Sequence, residues 1–260
     1  MCPFAVAAED EDPVRRQRLD IARRGPDHEP IVPITVHGML DSEVEWKDQA
    51  VAHEIEATVE DLIDRARDLV TGDRALLGIT GPPGAGKSTI TRQIVDAIGP
   101  DAGTVAMDGY HLAQRVLVAH GSANRKGAPD TFDVGGYVSM LRRLRETTDQ
   151  TVYVPLFDRA LEEPVGSASP IGPTARLVVT EGNYLLLQDG EWASIRGLLD
   201  QVWFIGLDRQ TRIERLQHRH IEFGDTAANA RRRALGSDEA NAELIARTID
   251  AADLVIRLRD

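Results

Sequence analysis

The chain has 260 residues, 42% of them apolar and 28% charged, with a formal charge of −12; this is enough to bury one sizeable core, and a net negative surface makes nucleic acid an unexpected partner. The one cysteine, Cys2, excludes an internal disulfide framework and points to a reducing, cytoplasmic setting. No apolar run reaches the roughly 18 residues of a membrane span, and the opening MCPFAVAAEDED resembles no export signal, so no membrane role is expected.

Residues 1–41 carry an acidic block (Glu9 to Asp12), a basic block (Arg15, Arg16, Arg18, Arg23, Arg24) and prolines at 26, 30 and 33. They read as a poorly ordered extension. The remainder, 42–260, reads as one catalytic domain. It opens with Ser42 and Glu45 as a capping box, and Val51, Ile55, Val59, Leu62, Ala66 and Leu69 recur at three- and four-residue steps, which predicts a lead-in helix ending near Gly72. Short apolar runs then alternate with helical stretches: Ala75 to Thr80, Thr104 to Met107, Val152 to Pro155, Leu177 to Thr180, Val202 to Leu207 and Leu254 to Leu258. This alternation predicts an α/β fold, a doubly wound and mostly parallel sheet. Between about 209 and 250 lie Arg- and Ala-rich helical stretches broken at Gly224 and at Gly236 with Ser237, long for a crossover and suited to a helical lid over a site.

The strongest motif is Gly81-Pro82-Pro83-Gly84-Ala85-Gly86-Lys87-Ser88, followed by Thr89. It has the G-x-x-x-x-G-K-S spacing of a P-loop, follows an apolar run and opens a helical stretch through Ile98. Glycines let the backbone curl so that successive N–H groups, those of Gly81 to Thr89 among them, face phosphate oxygens at a helix N-terminus. Lys87 would bridge β- and γ-phosphates, and Ser88 would hold Mg²⁺. The next strand ends in Asp108-Gly109-Tyr110-His111. Ligands gather at the carboxyl ends of parallel strands, so Asp108 is placed to orient an acceptor hydroxyl and take its proton; capping the following turn is the alternative. Glu181, in Glu181-Gly182-Asn183-Tyr184, ends another strand and is a candidate metal carboxylate.

Asp108-Gly109-Tyr110-His111, Arg125-Lys126-Gly127-Ala128-Pro129-Asp130-Thr131-Phe132-Asp133, Val154-Pro155-Leu156-Phe157-Asp158-Arg159 and Glu181-Gly182-Asn183-Tyr184, in that order, resemble the phosphoribulokinase and uridine kinase family. The arginine-lysine segment is similar to bacterial-type pantothenate kinases and to the nucleoside/nucleotide kinase or fructose transport kinase branch. The resemblance spans roughly Leu69 to Leu258. It implies a P-loop NTPase fold, ATP and Mg²⁺ as cofactors, and a small hydroxylated acceptor such as a sugar, a pantothenate-like alcohol or a nucleoside. It implies Asp108 and Lys87 as catalytic, with Tyr110, Arg125, Lys126, Asp133 and Arg159 near the acceptor. Asp133 is equally suited to cap the helix Val134 to Arg145, and the basic pair to lie in a solvated loop. The base-reading pattern of uridine kinases is absent after Pro155, and the long insertion of pantothenate kinases is absent after Glu181.

In the lid stretch, Arg215 and Arg219 stand four residues apart on one helix face and are candidates to neutralise the transferring phosphoryl group, against surface pairing with Glu214 or Glu222. A regulatory or assembly ATPase acting on a protein partner is the alternative function; a guanine-specific N-K-x-D is missing. A homodimer is one assembly open to the chain.

Overall fold

The computed structural model describes residues 54–259, inside a compact unit spanning Gln49–Asp260. The predicted extension 1–41 and the Ser42 cap lie outside the described residues.

The chain runs β1 (Glu54–Ala57), α1 (Val59–Asp68), β2 (Ala75–Thr80), α2 (Lys87–Ile98), β3 (Ala102–Ala106), α3 (Gln114–Ala119), α4 (Val134–Glu146), β4 (Val152–Asp158), β5 (Glu163–Ile171), β6 (Leu177–Glu181), β7 (Gln201–Gly206), α5 (Arg209–Glu222), α6 (Ala227–Leu235), α7 (Ser237–Ala246) and β8 (Leu254–Leu258). Six strands form one sheet in the order β1-β8-β7-β2-β6-β3, every neighbouring pair parallel. Helices cover both faces, so the central strands are apolar without interruption rather than alternating. All six residues of β2 are buried. Leu76 faces a core with Val178, Val202, Tyr137, Leu141 and Leu144; Leu77 and Ile79 face another with Leu62, Ala66, Ile90, Ile94 and Trp203.

Two expectations are corrected. The lead-in helix begins only at Val59, where Thr58 accepts from the Asp61 amide and Asp61 from the Thr58 amide. Glu54–Ala57, assigned to that helix by the spacing of Ile55, instead pairs with β8 at the sheet edge; a four-residue edge strand is too short to break a helical period. The run from Val152 leaves the main sheet and pairs antiparallel with β5 as a separate hairpin. The segment 209–250 does form three helices, with Gly224 and Gly236 in the breaks.

Candidate active site

β2 lies at the centre of the sheet, and the connections leave it in opposite directions, toward β6 and β3 on one side and β7 and β8 on the other. Such a reversal opens a crevice at the carboxyl ends of the strands. The register brings three chain segments to that edge: Glu181 pairs with Ile79 of β2 and with Ala106 of β3, so the P-loop, Glu181 and Asp108 emerge side by side.

The loop after β2 has the strained backbone that its glycines permit, with φ of 85° at Gly84 and 95° at Gly86. Ala85 donates back to Pro82, and Thr89 and Ile90 donate to Gly86 to start α2. The amides of Gly84, Gly86, Lys87 and Ser88 have no backbone acceptor among the described residues. Four inward donors at a helix N-terminus form an anion cradle. The buried Lys87 ammonium donates to the carbonyls of Gly81 (2.9 Å) and Pro82 (3.1 Å) and to Asn183 Oδ1 (2.8 Å), oxygens standing where phosphate oxygens would compete. Burial draws its pKa down to about 8, against the pull of Glu181 and Asp108. Ser88 Oγ donates to Glu181 Oε1 at 2.9 Å. Burial, then the neighbouring Asp108, pushes the Glu181 carboxyl up, while Lys87 pulls it down. A desolvated carboxylate beside a hydroxyl is a donor set that a hard divalent cation suits. Among the described residues there is no group of three His, Cys, Asp or Glu able to hold a metal by itself.

Asp108, one-third exposed, accepts from Arg159 Nη2 at 3.0 Å. His111 Nδ1 donates to the Asp108 carbonyl at 2.9 Å, and its ring packs on Phe132 and Phe157, with centroids 4.0 and 5.1 Å away. Tyr110 is buried against Tyr137, and its hydroxyl has no partner among the described residues. Lys126 donates to the Glu162 carbonyl at 2.6 Å and stands 5.1 Å from the Phe157 ring. Arg125, by contrast, is half-exposed and paired with Asp130. Asp133 is exposed and caps α4 through the Gly136 amide at 2.9 Å, the capping alternative weighed from the sequence.

The helix α5 packs directly on the P-loop: a Cβ on Gly84 would lie 3.0 Å from Leu216 Cγ and 3.1 Å from the Arg212 carbonyl. Arg215 Nη1 lies 3.8 Å from the Cβ position of Gly86. Arg219 is an exposed residue of α5; desolvation lowers its pKa, opposed by Asp238.

Three residues escaped the sequence reading. Asn183 accepts a hydrogen bond from the Lys87 ammonium through Oδ1. Arg212 is 2% exposed, pairs with Glu239 of α7 and leaves Nη1 without a partner among the described residues. His220 is buried and bonds Asp238 at 2.7 Å. Arg212 and His220 share the four-residue register of Leu216, the buried stripe of α5, which is the signal that marks them.

The chain is similar to several known proteins. An ATP-dependent kinase-like protein of Aspergillus versicolor is 40% identical over 147 residues, 53% of this chain and 85% of its own length. An uncharacterised Escherichia coli protein is 33% identical over 192 residues, 72% of this chain and 79% of its own. The chain belongs to the phosphoribulokinase and uridine kinase-like family of P-loop kinases. The crystal structure of a candidate fructose transport system kinase from Silicibacter sp. TM1040 superposes on this kinase with a TM-score of 0.69 at 33% identity, covering 76% of this chain and 98% of that one. The ABC transporter family model matches residues 68–137 of the kinase, the P-loop and its flanks alone. Among the described residues no helix of the kinase is long and apolar enough to cross a membrane.

Proposed function

We propose that this kinase moves the γ-phosphoryl group of ATP to a hydroxyl of a small metabolite. The observation that carries the reading is the convergence of the P-loop, Glu181 and Asp108 at one sheet edge. In this reading the amides of Gly84, Gly86, Lys87 and Ser88 hold the phosphates, with Gly81, Ala85 and Thr89 shaping the loop, and Lys87 exchanges its carbonyl partners for β- and γ-phosphate oxygens. Ser88 and Glu181 would hold Mg²⁺, whose charge offsets that of the phosphates. Asp108 orients the acceptor hydroxyl and accepts its proton, and Tyr110, Lys126 and Arg159 border the acceptor. Arg215 and Arg219 neutralise charge on the transferring group when the lid, about 209–250, closes.

The test is ADP release from Mg-ATP by the purified protein with sugars, nucleosides and hydroxy acids, each acceptor then weighed by mass spectrometry. One acceptor gaining a phosphoryl group and stimulating ADP release supports the reading. Hydrolysis indifferent to every acceptor but raised by a protein partner supports the regulatory ATPase instead.

A further inference from the structure

The acceptor side of the crevice has more positive charge than its own carboxylates answer. Arg159 reaches Asp108, the group that must accept a proton if phosphoryl transfer is the reaction. A carboxylate holding a guanidinium hydrogen bond has a lone pair of that oxygen engaged and less free to meet a hydroxyl. Lys126 has no carboxylate within ion-pairing distance among the described residues; its ammonium bonds only a carbonyl, that of Glu162. Its neighbour Arg125 shows the contrast, being paired with Asp130.

The two cations are built into one frame. Arg159 and Glu162 both belong to the turn joining β4 to β5, so the element that presents Arg159 also tethers Lys126. Phe157, from the same hairpin, has Lys126 Nζ at 5.1 Å and Arg159 Cζ at 5.2 Å from its ring centre. His111 packs on that ring; burial lowers its pKa, Asp108 opposes this, and Lys126 and Arg159 add to the lowering. Its Nδ1 donates to the Asp108 carbonyl.

We infer that the acceptor is a hydroxylated metabolite bearing a second, anionic group, a carboxylate or a phosphate monoester, which binds between Lys126 and Arg159 and draws Arg159 off Asp108. The inference rests on the kinase reading and narrows its acceptor to acids. The anion replaces Asp108 as the guanidinium's partner, so binding itself frees the base. The acceptor oxygen then bonds to the γ-phosphorus, the bond from that phosphorus to ADP breaks with its electron pair left on ADP, and the hydroxyl proton passes to Asp108. A neutral acceptor offers Arg159 no such partner and leaves Asp108 engaged.

The experiment compares matched pairs of acceptors with Mg-ATP: hydroxy acids against their amides, and sugar phosphates against the free sugars. Expected is kcat/KM at least about tenfold higher for the anionic member of a pair, the scale of one charge-assisted hydrogen bond; which set responds distinguishes carboxylate from phosphate. Lys126→Gln should shrink that ratio mainly through the KM of the acid, and Lys126→Arg should restore most of it. Equal or better turnover of the neutral members, or an anionic preference unchanged in both Lys126→Gln and Arg159→Gln, overturns the inference while the kinase reading stands. Phosphorylation of a neutral nucleoside but of no member of either set overturns the inference alone; phosphorylation of no acceptor, nucleosides included, removes the kinase reading and the inference with it.

Discussion

Substituting Gly182 by alanine tests whether the spacing of the two site carboxylates depends on a missing side chain. Gly182 follows Glu181 and precedes Asn183, the acceptor for Lys87. A Cβ there would lie 2.5 Å from Met107 Cβ and 2.7 Å from Met107 Sδ, whereas carbon atoms ordinarily rest at about 3.5–4.0 Å. Something must therefore yield by roughly 1 Å. Met107 is buried and precedes Asp108, so whichever strand end moves, a site residue moves with it. Overpacking of this kind costs about 1–3 kcal/mol, and each kcal/mol lowers Tm by roughly 2–4 °C in a domain of this size. A displacement of that order at a reacting group lowers kcat by about a hundredfold. Urea unfolding gives the first quantity, and steady-state ADP release with a saturating acceptor gives the second. Stability within about 0.5 kcal/mol of wild type together with kcat within about threefold would refute the reasoning.

Asp108→Asn should keep nucleotide affinity, measured by calorimetry, and lower kcat by about 10²–10⁴, the range of general-base catalysis; ordinary turnover would remove Asp108 as the base. Lys87, with its pKa drawn from 10.5 to about 8, should lose its charge in the free enzyme as pH rises through about 8. ATP affinity should therefore fall across that range, and Lys87→Ala should abolish the dependence. The unfolded chain binds the extra proton between the two values, so the lysine's contribution to stability should rise with pH from about 8 toward 10.5, a limb that pH-resolved unfolding would reveal. Glu239→Ala leaves the buried Arg212 uncompensated and should cost about 3–5 kcal/mol, read by urea unfolding and by faster proteolysis of the segment 209–250. A loss below about 1 kcal/mol would show that Arg212 finds water or another partner.

The amino-acid sequence by itself determined the phosphate-binding loop, most of the main-sheet strands and the chain positions of Asp108 and Glu181. Each is a local pattern: glycine spacing dictates the loop, uninterrupted apolar runs dictate strands buried on both faces, and a carboxylate at a run's end is carried to the sheet edge. Tertiary structure decided the rest. Glu54–Ala57 becomes a strand only because β8 offers it an edge. β5, whose stretch Gly166 to Pro170 is glycine, serine, alanine and proline with little strand propensity, is extended because β4 pairs with it. Arg212 and Arg215 look alike three residues apart on α5, yet one is sealed against Glu239 and the other lies over the P-loop. The contact of Arg159 with Asp108 joins residues 51 positions apart. Burial and charge pairing are properties of the space between elements, and that space exists only once the helices have packed on the sheet.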